Sequence, residues 1–572
     1  MESRKAGSSV LLLTTALLFG SAFASAQTLQ ELKNPADDEG LSAGGSAALF
    51  GAYTGPGNNN PQPGYHDNGR GGNTFVNDPC LDPPPPNRRR TVQSEDEIAT
   101  FGKYMVIGYN DSYGFYDNTQ GLSGFSYSVN GGNTWVDGAG LPPLLPAPGL
   151  PPDAAHDRYF GDPVVVVDKS ARTFGSATQA AGEFYYASIY QLPGGTTSLS
   201  VNRGRFQTAP PQTPESVADT RCLKDPTQQG VPNTQTLPTE RIIWEPPVVA
   251  VPVINPGDFL DKEWLYANQA NGELYLTYTR FGFDGSTPLE LVRSTDGGRT
   301  WTPPTIIVPN LNDTFITATQ PAVTSTGRVI VVFYSRQFSA GGFGPESDDR
   351  IDYAYSDDDG ATFSPIQTIQ HVNPQGEPLG YNRGRTSILN TPYINTYPHG
   401  TDVYVSYFSG KSPLGTPLPY AKAADIYVAS SHDNATTFVP VKVNDDAGVT
   451  SHVFPSTQVN KTGDVYAGWS DRRFDPTNVL TDVFANVSHD GGATWGHDKL
   501  QTDVATSWFA RADARPNFGD YNSSELLNDN QFLLVWSDGR FPPPATAPAI
   551  GPTPDTIFTI ANGLGVGSGG NH

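Results

Sequence analysis

Short runs of alternating apolar and polar residues, rich in β-branched and aromatic side chains, recur along most of the chain. This alternation predicts β-strands with one buried face. The runs come in pairs, such as Glu273–Tyr278 with Leu289–Arg293. One further short run precedes each pair and another follows, as Thr305–Val308 does here. The pattern therefore predicts a repeated unit of four antiparallel strands, A to D.

A motif of eight residues follows the third strand in most of these units. In Ser294–Trp301 it is Ser-Thr-Asp-Gly-Gly-Arg-Thr-Trp, and similar octets occur at Ser128–Trp135, Ser356–Phe363, Ser431–Phe438 and Ser488–Trp495. Asp or Asn at the third position can accept hydrogen bonds from backbone N–H groups of the turn, while glycine supplies a positive φ. We therefore interpret Asn130, Asp296, Asp358, Asp433 and Asp490 as structural turn residues, since one active site does not need five copies. A shortened copy is predicted at Ser200–Phe206.

The number of units and the two ends of the repeat predict a closed ring. Seven A–B pairs can be counted, so an all-β propeller of seven blades is expected, with six as the alternative. The last unit, through Thr556–Ile560, lacks an octet and a D strand. Thr74–Asp78, before the first unit, looks like the D strand Lys442–Asp445. We expect this N-terminal strand to complete the last blade, which leaves no free sheet edge across residues 74–562.

Octets of this form are Asp boxes, or BNR repeats, and over about residues 74–562 the chain resembles secreted members of the sialidase superfamily. The resemblance implies a β-propeller and activity of the glycoside hydrolase type on extracellular glycans. The superfamily also includes propellers that only bind, so a non-catalytic glycan- or protein-binding propeller is the alternative. True sialidases carry an Arg-Ile-Pro motif that this sequence lacks. The nearest string, Thr239–Ile243, has no proline, so no catalytic residue is assigned by motif.

The N-terminal segment of the chain predicts export. Arg4 and Lys5, the apolar run Val10–Phe19 and Ala24-Ser25-Ala26 form a signal peptide pattern over residues 1–26. Residues 27–73 are expected to be a flexible segment rich in Gly, Asn and Pro, and residues 563–572 a Gly-rich tail. A secreted or periplasmic protein is therefore expected. No membrane span is predicted, because no later segment offers roughly 18 unbroken apolar residues.

The net charge and the two cysteines limit which partners and which cysteine chemistry are expected. The formal net charge is −23, which disfavours nucleic acid and anionic membranes as partners. After export, Cys80 and Cys222 are expected either to form one disulfide or to remain two buried thiols. No CxxC motif or Cys/His cluster indicates a zinc site.

The predicted topology places candidate catalytic groups on the face opposite the octets, at the starts of the A strands. Phe160-Gly161-Asp162 and Phe518-Gly519-Asp520 repeat one another in the second and last units. We therefore single out Asp162, Glu263, Asp520 and Tyr521 as candidate catalytic residues. A ring of carboxylates suits either acid/base chemistry on a sugar or a bound Ca²⁺. No cofactor is required by this interpretation, and the alternative is that each acid caps a strand or pairs with a nearby cation.

The ends of the B strands carry candidate substrate-binding arginines: Arg280, Arg336, Arg472 and Arg540. Guanidinium groups at the mouth of a ring can grip carboxylate or sulfate with two hydrogen bonds. The near-copies Trp469-Ser-Asp-Arg472 and Trp536-Ser-Asp-Gly-Arg540 also fit a repeated structural Asp–Arg pair. Both interpretations are open at the level of sequence.

Overall fold

The protein is an all-β ring of seven antiparallel sheets in a computed structural model. The model describes residues 73–564 except 82–92, 113–120, 139, 145–157, 193–195, 229, 253–254, 256, 312, 339–347, 382–386, 414–415, 417–418, 476, 509–517 and 542–552. The predicted signal peptide, nearly all of the predicted linker and most of the Gly-rich tail lie outside the described residues.

The strands run in chain order around the ring, beginning with β1 (Thr74–Phe75). Blade 1 contains β2 (Gln93–Phe101), β3 (Tyr104–Asp111), β4 (Ser123–Ser128) and β5 (Val136–Asp137). Blade 2 contains β6 (Arg158–Asp168), the small hairpin β7 (Arg172–Phe174) and β8 (Ala177–Gln179), β9 (Glu183–Gln191) and β10 (Thr197–Thr208). The next strand, β11 (Ser216–Val217), pairs with β5 of blade 1. It is followed by a helical turn, α1 (Arg221–Lys224), and a 3₁₀ turn (Pro226–Gln228). Two further strands, β12 (Glu240–Trp244) and β13 (Val248–Pro252), both pair with β10 of blade 2.

The remaining blades are more regular. Blade 3 contains β14 (Phe259–Ala267), β15 (Leu274–Phe281), β16 (Leu289–Ser294) and β17 (Thr305–Val308). Blade 4 contains β18 (Thr314–Val323), β19 (Val329–Gln337), β20 (Asp348–Ser356) and β21 (Gln367–Val372). Blade 5 contains β22 (Tyr393–Thr396), β23 (Val403–Gly410), β24 (Ala424–Ser431) and β25 (Val439–Lys442). Blade 6 contains β26 (His452–Val459), β27 (Val465–Asp471), β28 (Leu480–Ser488), β29 (Lys499–Leu500) and β30 (Thr506–Ser507), and blade 7 contains β31 (Ser523–Leu527), β32 (Gln531–Phe541) and β33 (Thr553–Ile560).

The N-terminal strand closes the ring, as predicted. In blade 7 the strand order is β1-β33-β32-β31, with Thr74 opposite Phe558 in an antiparallel register. The Val76 N–H donates to the Thr556 carbonyl at 3.0 Å, and the Val76 side chain is fully buried. The chain is thus a seven-bladed propeller, and the alternative of six blades is wrong.

The first strand of each blade lines the central axis, and each contacts the first strand of the next blade around the whole circle. In five of these strands the register slips by one residue, forming a bulge whose first residue has a positive φ. These residues are Glu95, Asp162, Lys262, Ala318 and Phe454, with φ between 53° and 59°. A bulge bends the strand and re-aims a side chain. The repeated bulge therefore decides which side chains meet near the axis.

Each of the five complete octets forms the turn between the third and fourth strand of its blade. In the octet beginning at Ser294, Asp296 Oδ1 accepts from Thr300 N–H at 2.9 Å and Oδ2 accepts from its hydroxyl at 2.6 Å. The Ser294 hydroxyl accepts from Gly298 N–H at 2.9 Å. The shortened copy is different. Ser200–Phe206 lies within the continuous strand β10, so the prediction of a turn there is wrong. Gly204 lets the Trp244 ring pack directly against this strand, since an added Cβ would lie 2.3 Å from that ring.

The apolar core lies between adjacent sheets. Between blades 1 and 7, for example, Trp135 meets Phe558 edge-to-face with ring centroids 5.2 Å apart. Full burial of one such large side chain stabilises the fold by about 1.5–3 kcal/mol. Cys80 and Cys222 form a disulfide with Cα atoms 5.5 Å apart, joining the segment after β1 to α1. Among the described residues, no helix combines the length and apolarity needed to cross a bilayer.

Candidate functional site

A buried ionic cluster lies where the inner strands begin. Lys262 Nζ is 2.6 Å from Asp520 Oδ2, 3.5 Å from Glu95 Oε1 and 3.7 Å from Asp162 Oδ2. The four side chains come from the inner strands of blades 1, 2 and 3 and from the residues just before β31 in blade 7. All four residues are 4% exposed or less. One ammonium group thus gathers carboxylates from three other blades.

Backbone geometry at the bulges brings these groups together. Glu95, Asp162 and Lys262 each adopt the left-handed conformation, which costs a non-glycine residue about 1–3 kcal/mol and persists only when surrounding structure fixes it. The Asn110 side chain supplies part of that structure, since its amide donates to Glu95 Oε2 at 2.7 Å and its oxygen accepts from Asp162 N–H at 2.9 Å. At Gly519 an added Cβ would lie 2.6 Å from the Glu95 nitrogen, so glycine is required there for the chains to approach.

A second group of carboxylates borders this cluster. Asp162, Asp261 and Glu263 each present an oxygen, and these oxygens all lie within 4.8 Å of one another. Asp162 belongs to β6 of blade 2, whereas Asp261 and Glu263 belong to β14 of blade 3. Glu263 is 2% exposed, and neither of its carboxylate oxygens has a hydrogen-bond partner among the described residues.

Burial and the crowding of carboxylates shift the pKa values of the cluster. Desolvation, followed by the charge of Asp162, holds the pKa of Glu95 well above its usual value. Desolvation and the charges of Asp162 and Asp261 do the same to the pKa of Glu263. For Lys262, desolvation favours the neutral amine, but the surrounding carboxylates outweigh it and raise the pKa. The centre therefore combines a charged ammonium with crowded carboxyl groups, and burial favours the protonated form of Glu95 and Glu263 over the charged form.

Aromatic rings border the cluster. The Tyr521 ring lies with its centroid 5.8 Å from Lys262 Nζ and meets Trp264 edge-to-face at 5.3 Å. Burial, followed by the nearby carboxylates, raises the pKa of Tyr521 well above its usual value, so its phenol stays protonated. Tyr381 donates its hydroxyl to Asp520 Oδ1 at 2.6 Å. Sequence reasoning missed Tyr381 because it lies in a connection between blades 4 and 5, where no repeat marks it.

Two of the four candidate arginines are held by acids of their own blades. Arg280 forms ion pairs with Glu290 at 2.8 Å and with Asp258 at 3.3 Å, all within or just before the strands of blade 3. Arg336 donates two hydrogen bonds of 2.8 Å to Asp349, its neighbour across β19 and β20. These contacts fix the ends of the B strands.

The other two arginines have less local partners, since Arg540 also pairs with Asp503 of blade 6. Arg472 donates to the Thr481 hydroxyl at 2.9 Å and stacks over Trp508, 4.7 Å from the ring centroid. Arg540 donates to Asp538 Oδ2 at 2.8 Å. Among the described residues, no ion pair joins any of the four arginines to Asp162, Glu263 or Asp520.

A cavity of about 500 Å³ opens at the opposite end of the axis, on the same face as the octet turns. Its walls include the A–B turns of blades 3 to 7, the Trp264 and Tyr393 rings and Glu97. Two lysines at the rim, Lys169 and Lys461, pair with the acids Glu525 and Asp529.

Comparison with known proteins finds similarity at the level of the fold. No family model and no curated protein matches the chain. Among solved structures, an α-L-arabinofuranosidase from Fusarium graminearum is 13% identical, with 73% of this chain and 97% of that chain covered and a TM-score of 0.42. A Trypanosoma rangeli sialidase is 12% identical, with 72% and 58% covered and a TM-score of 0.38. A sialidase described as Hadza microbial sialidase Hz136 is 13% identical, with 66% and 63% covered and a TM-score of 0.34. The chain thus spans less than two thirds of either sialidase, and no residue role is taken from these likenesses.

Proposed function

We propose that this chain is an exported propeller of the glycoside hydrolase type, with Glu95 and Asp520 as its acid/base pair. The observation that carries the proposal is the axial cluster, in which a carboxyl group with a raised pKa lies beside an ionised carboxylate held by Lys262. Hydrolysis of a glycosidic bond needs this combination of a proton donor and a charged partner. The disulfide supports export, because such bonds persist in oxidising compartments.

The two carboxyl groups have different surroundings, which suggests different roles. Asp520 accepts from the Lys262 ammonium and the Tyr381 hydroxyl, both at 2.6 Å, and these contacts stabilise its charged form. We assign it the role of nucleophile or base. Glu95, with its raised pKa, is the proton donor. Because Lys262 Nζ reaches both groups, the nearest oxygens lie roughly 6 Å apart at most, closer to the separation in retaining than in inverting enzymes.

The charge of the centre favours a neutral glycan over a sialoside. Lys262 is already engaged by carboxylates. Of the four arginines predicted to bind substrate, Arg280, Arg336 and Arg540 pair with acids outside the axial cluster, and Arg472 donates to Thr481. An anionic sugar would therefore approach a group of carboxylates, Asp520 among them, and be repelled by it. A neutral pyranoside or furanoside meets no such repulsion. In this proposal Asp162, Glu263 and Tyr521, also predicted as catalytic from the sequence, border the reacting pair.

Turnover of a panel of neutral aryl glycosides and aryl sialosides tests the proposal. We expect hydrolysis of at least one neutral glycoside, with kcat lowered at least 10³-fold in both Asp520→Asn and Glu95→Gln. Asp529→Asn, at the rim of the opposite face, is the matched control and should retain wild-type kcat. An absence of turnover across the panel, or full activity in Asp520→Asn, would show that the axial pair is not a catalytic centre.

A second candidate is a propeller that binds a glycan or protein without catalysis. The burial of the axial acids favours it, because Asp162 and Asp520 are 1% and 0% exposed and both contact Lys262. In that case the cluster only holds the blades together. Binding to a glycan array without product release, and unaltered by Asp520→Asn, would support this alternative.

A further inference from the structure

We infer that Asp162, Asp261 and Glu263 form a Ca²⁺ site that joins blades 2 and 3 at the propeller axis. The three acids differ from the Glu95–Asp520 pair that they border, and the inference does not rest on the proposed enzymatic activity. Asp162 comes from the bulge of β6, and the other two carboxylates flank Lys262 in the bulge of β14. A bound ion would therefore connect the inner strands of two neighbouring sheets.

Glu263 provides an observation beyond the clustering of acids. It is 2% exposed, and both of its oxygens lack a hydrogen-bond partner among the described residues. One of these oxygens lies within 4.8 Å of oxygens from Asp162 and Asp261. A buried carboxylate is very unfavourable without a compensating partner. The side chain thus lies against two other carboxylates, and no group in the described part of the chain donates a hydrogen bond to it.

Lys262 does not supply that partner. Its ammonium group forms ion pairs with Asp520, Glu95 and Asp162. Within the described residues, no lysine, arginine or histidine nitrogen lies within 4.0 Å of Glu263, since none of the ion pairs includes it. A cation bound among the three acids would compensate the Glu263 carboxylate.

The ligand chemistry favours Ca²⁺. The three groups offer oxygen ligands alone, which suits a hard cation, and no cysteine or histidine is in the group. Ca²⁺ binds oxygens at about 2.3–2.6 Å, so its ligands can lie up to about 5 Å apart. The 4.8 Å limit on the separations of the three oxygens is within that span. Carboxylates of this number can bind bidentately and so approach the six to eight ligands that Ca²⁺ takes.

Metal content and Ca²⁺ binding by the purified full-length protein test the inference. After treatment with EDTA and desalting, we expect one equivalent of Ca²⁺ to bind in calorimetric titration, and the melting temperature to rise with added Ca²⁺. Glu263→Gln should lower the Ca²⁺ affinity at least tenfold and remove most of that rise. Asp96→Asn is the matched control, because Asp96 is equally buried in an inner strand but contacts Ser537 and Thr556 instead of the three acids.

Three outcomes decide between the possibilities. Ca²⁺ uptake that is lost in Glu263→Gln and in Asp162→Asn, but kept in Asp96→Asn, supports the site. Tighter binding of Mg²⁺ than of Ca²⁺, or no uptake of either ion by folded wild-type protein, overturns it. Equal uptake by wild type and Glu263→Gln also overturns it, since the ion would then bind elsewhere. Activity is not the readout, so Ca²⁺ binding can fail while glycosidase activity stands, and the reverse.

Discussion

Replacing Lys262 with methionine removes the only cation that contacts Asp520, Glu95 and Asp162 in the described part of the chain, while keeping the length and most of the volume of the side chain. The ammonium is 2.6 Å from Asp520 and the side chain is 2% exposed. Removing one partner from a buried ion pair costs about 3–5 kcal/mol, because the carboxylates lose the cation that offsets their desolvation. Lys262→Met is therefore expected to lower the free energy of unfolding by about 3–5 kcal/mol.

Differential scanning calorimetry measures this loss as a shift in melting temperature. A ring of roughly 490 residues has an unfolding entropy of about 1 kcal/mol per kelvin, so 3–5 kcal/mol corresponds to a fall of about 3–5 °C. Lys461→Met is the matched control. Lys461 forms an ion pair with Asp529 at 2.7 Å, but its side chain is 58% exposed, so its loss should cost at most about 1 kcal/mol.

A double-mutant cycle separates the pairing from the loss of packing. Asp520→Asn should also destabilise the protein, but Lys262→Met combined with it should cost about 2–3 kcal/mol less than the sum of the single changes. Additive effects, or a melting temperature for Lys262→Met equal to that of Lys461→Met, would refute the view that Lys262 holds the inner strands together by charge.

Three further predictions concern parts of the ring away from the axial cluster. Deletion of residues 73–79 should lower the melting temperature by several degrees, because it removes β1 and leaves blade 7 with an open edge; a deletion of equal length in the preceding segment should not. His452 is fully buried, and although desolvation opposes its charge, the neighbouring aspartates, Asp471 foremost, raise its pKa to about 9. Protonated His452 should add about 3 kcal/mol to the free energy of unfolding; this contribution is complete below about pH 6.5 and is lost as the pH rises through 9. His452→Gln should therefore flatten the dependence of melting temperature on pH over that interval. Reduction of the disulfide between Cys80 and Cys222, which are 142 residues apart, should cost up to roughly 5 kcal/mol, and the double serine variant should melt at the same temperature with and without reductant.

Local features of the sequence determined the fold of this protein. Alternating side chains specify which face of each strand is buried, and Asp296 with Ser294 and Gly298 closes its turn within one octet. These patterns repeat at each blade, so the number of blades and their strand order could be counted along the chain. Closure by Thr74–Phe75 was also visible, because the last blade lacked a strand that the N-terminal segment could supply.

The tertiary structure alone decided how the charged residues pair. Asp162, Glu263 and Asp520 were visible as acids at the starts of inner strands, but Lys262 and Tyr381 entered the cluster only through ring closure. Lys262 meets a carboxylate 258 residues away, and no sequence pattern encodes which charges meet across that distance. The candidate arginines were visible in the sequence, but their partners were not. Each matched a binding role by position, yet each bonds to protein groups outside the axial cluster. Arg540, for example, pairs with Asp538 of its own blade and with Asp503 of blade 6.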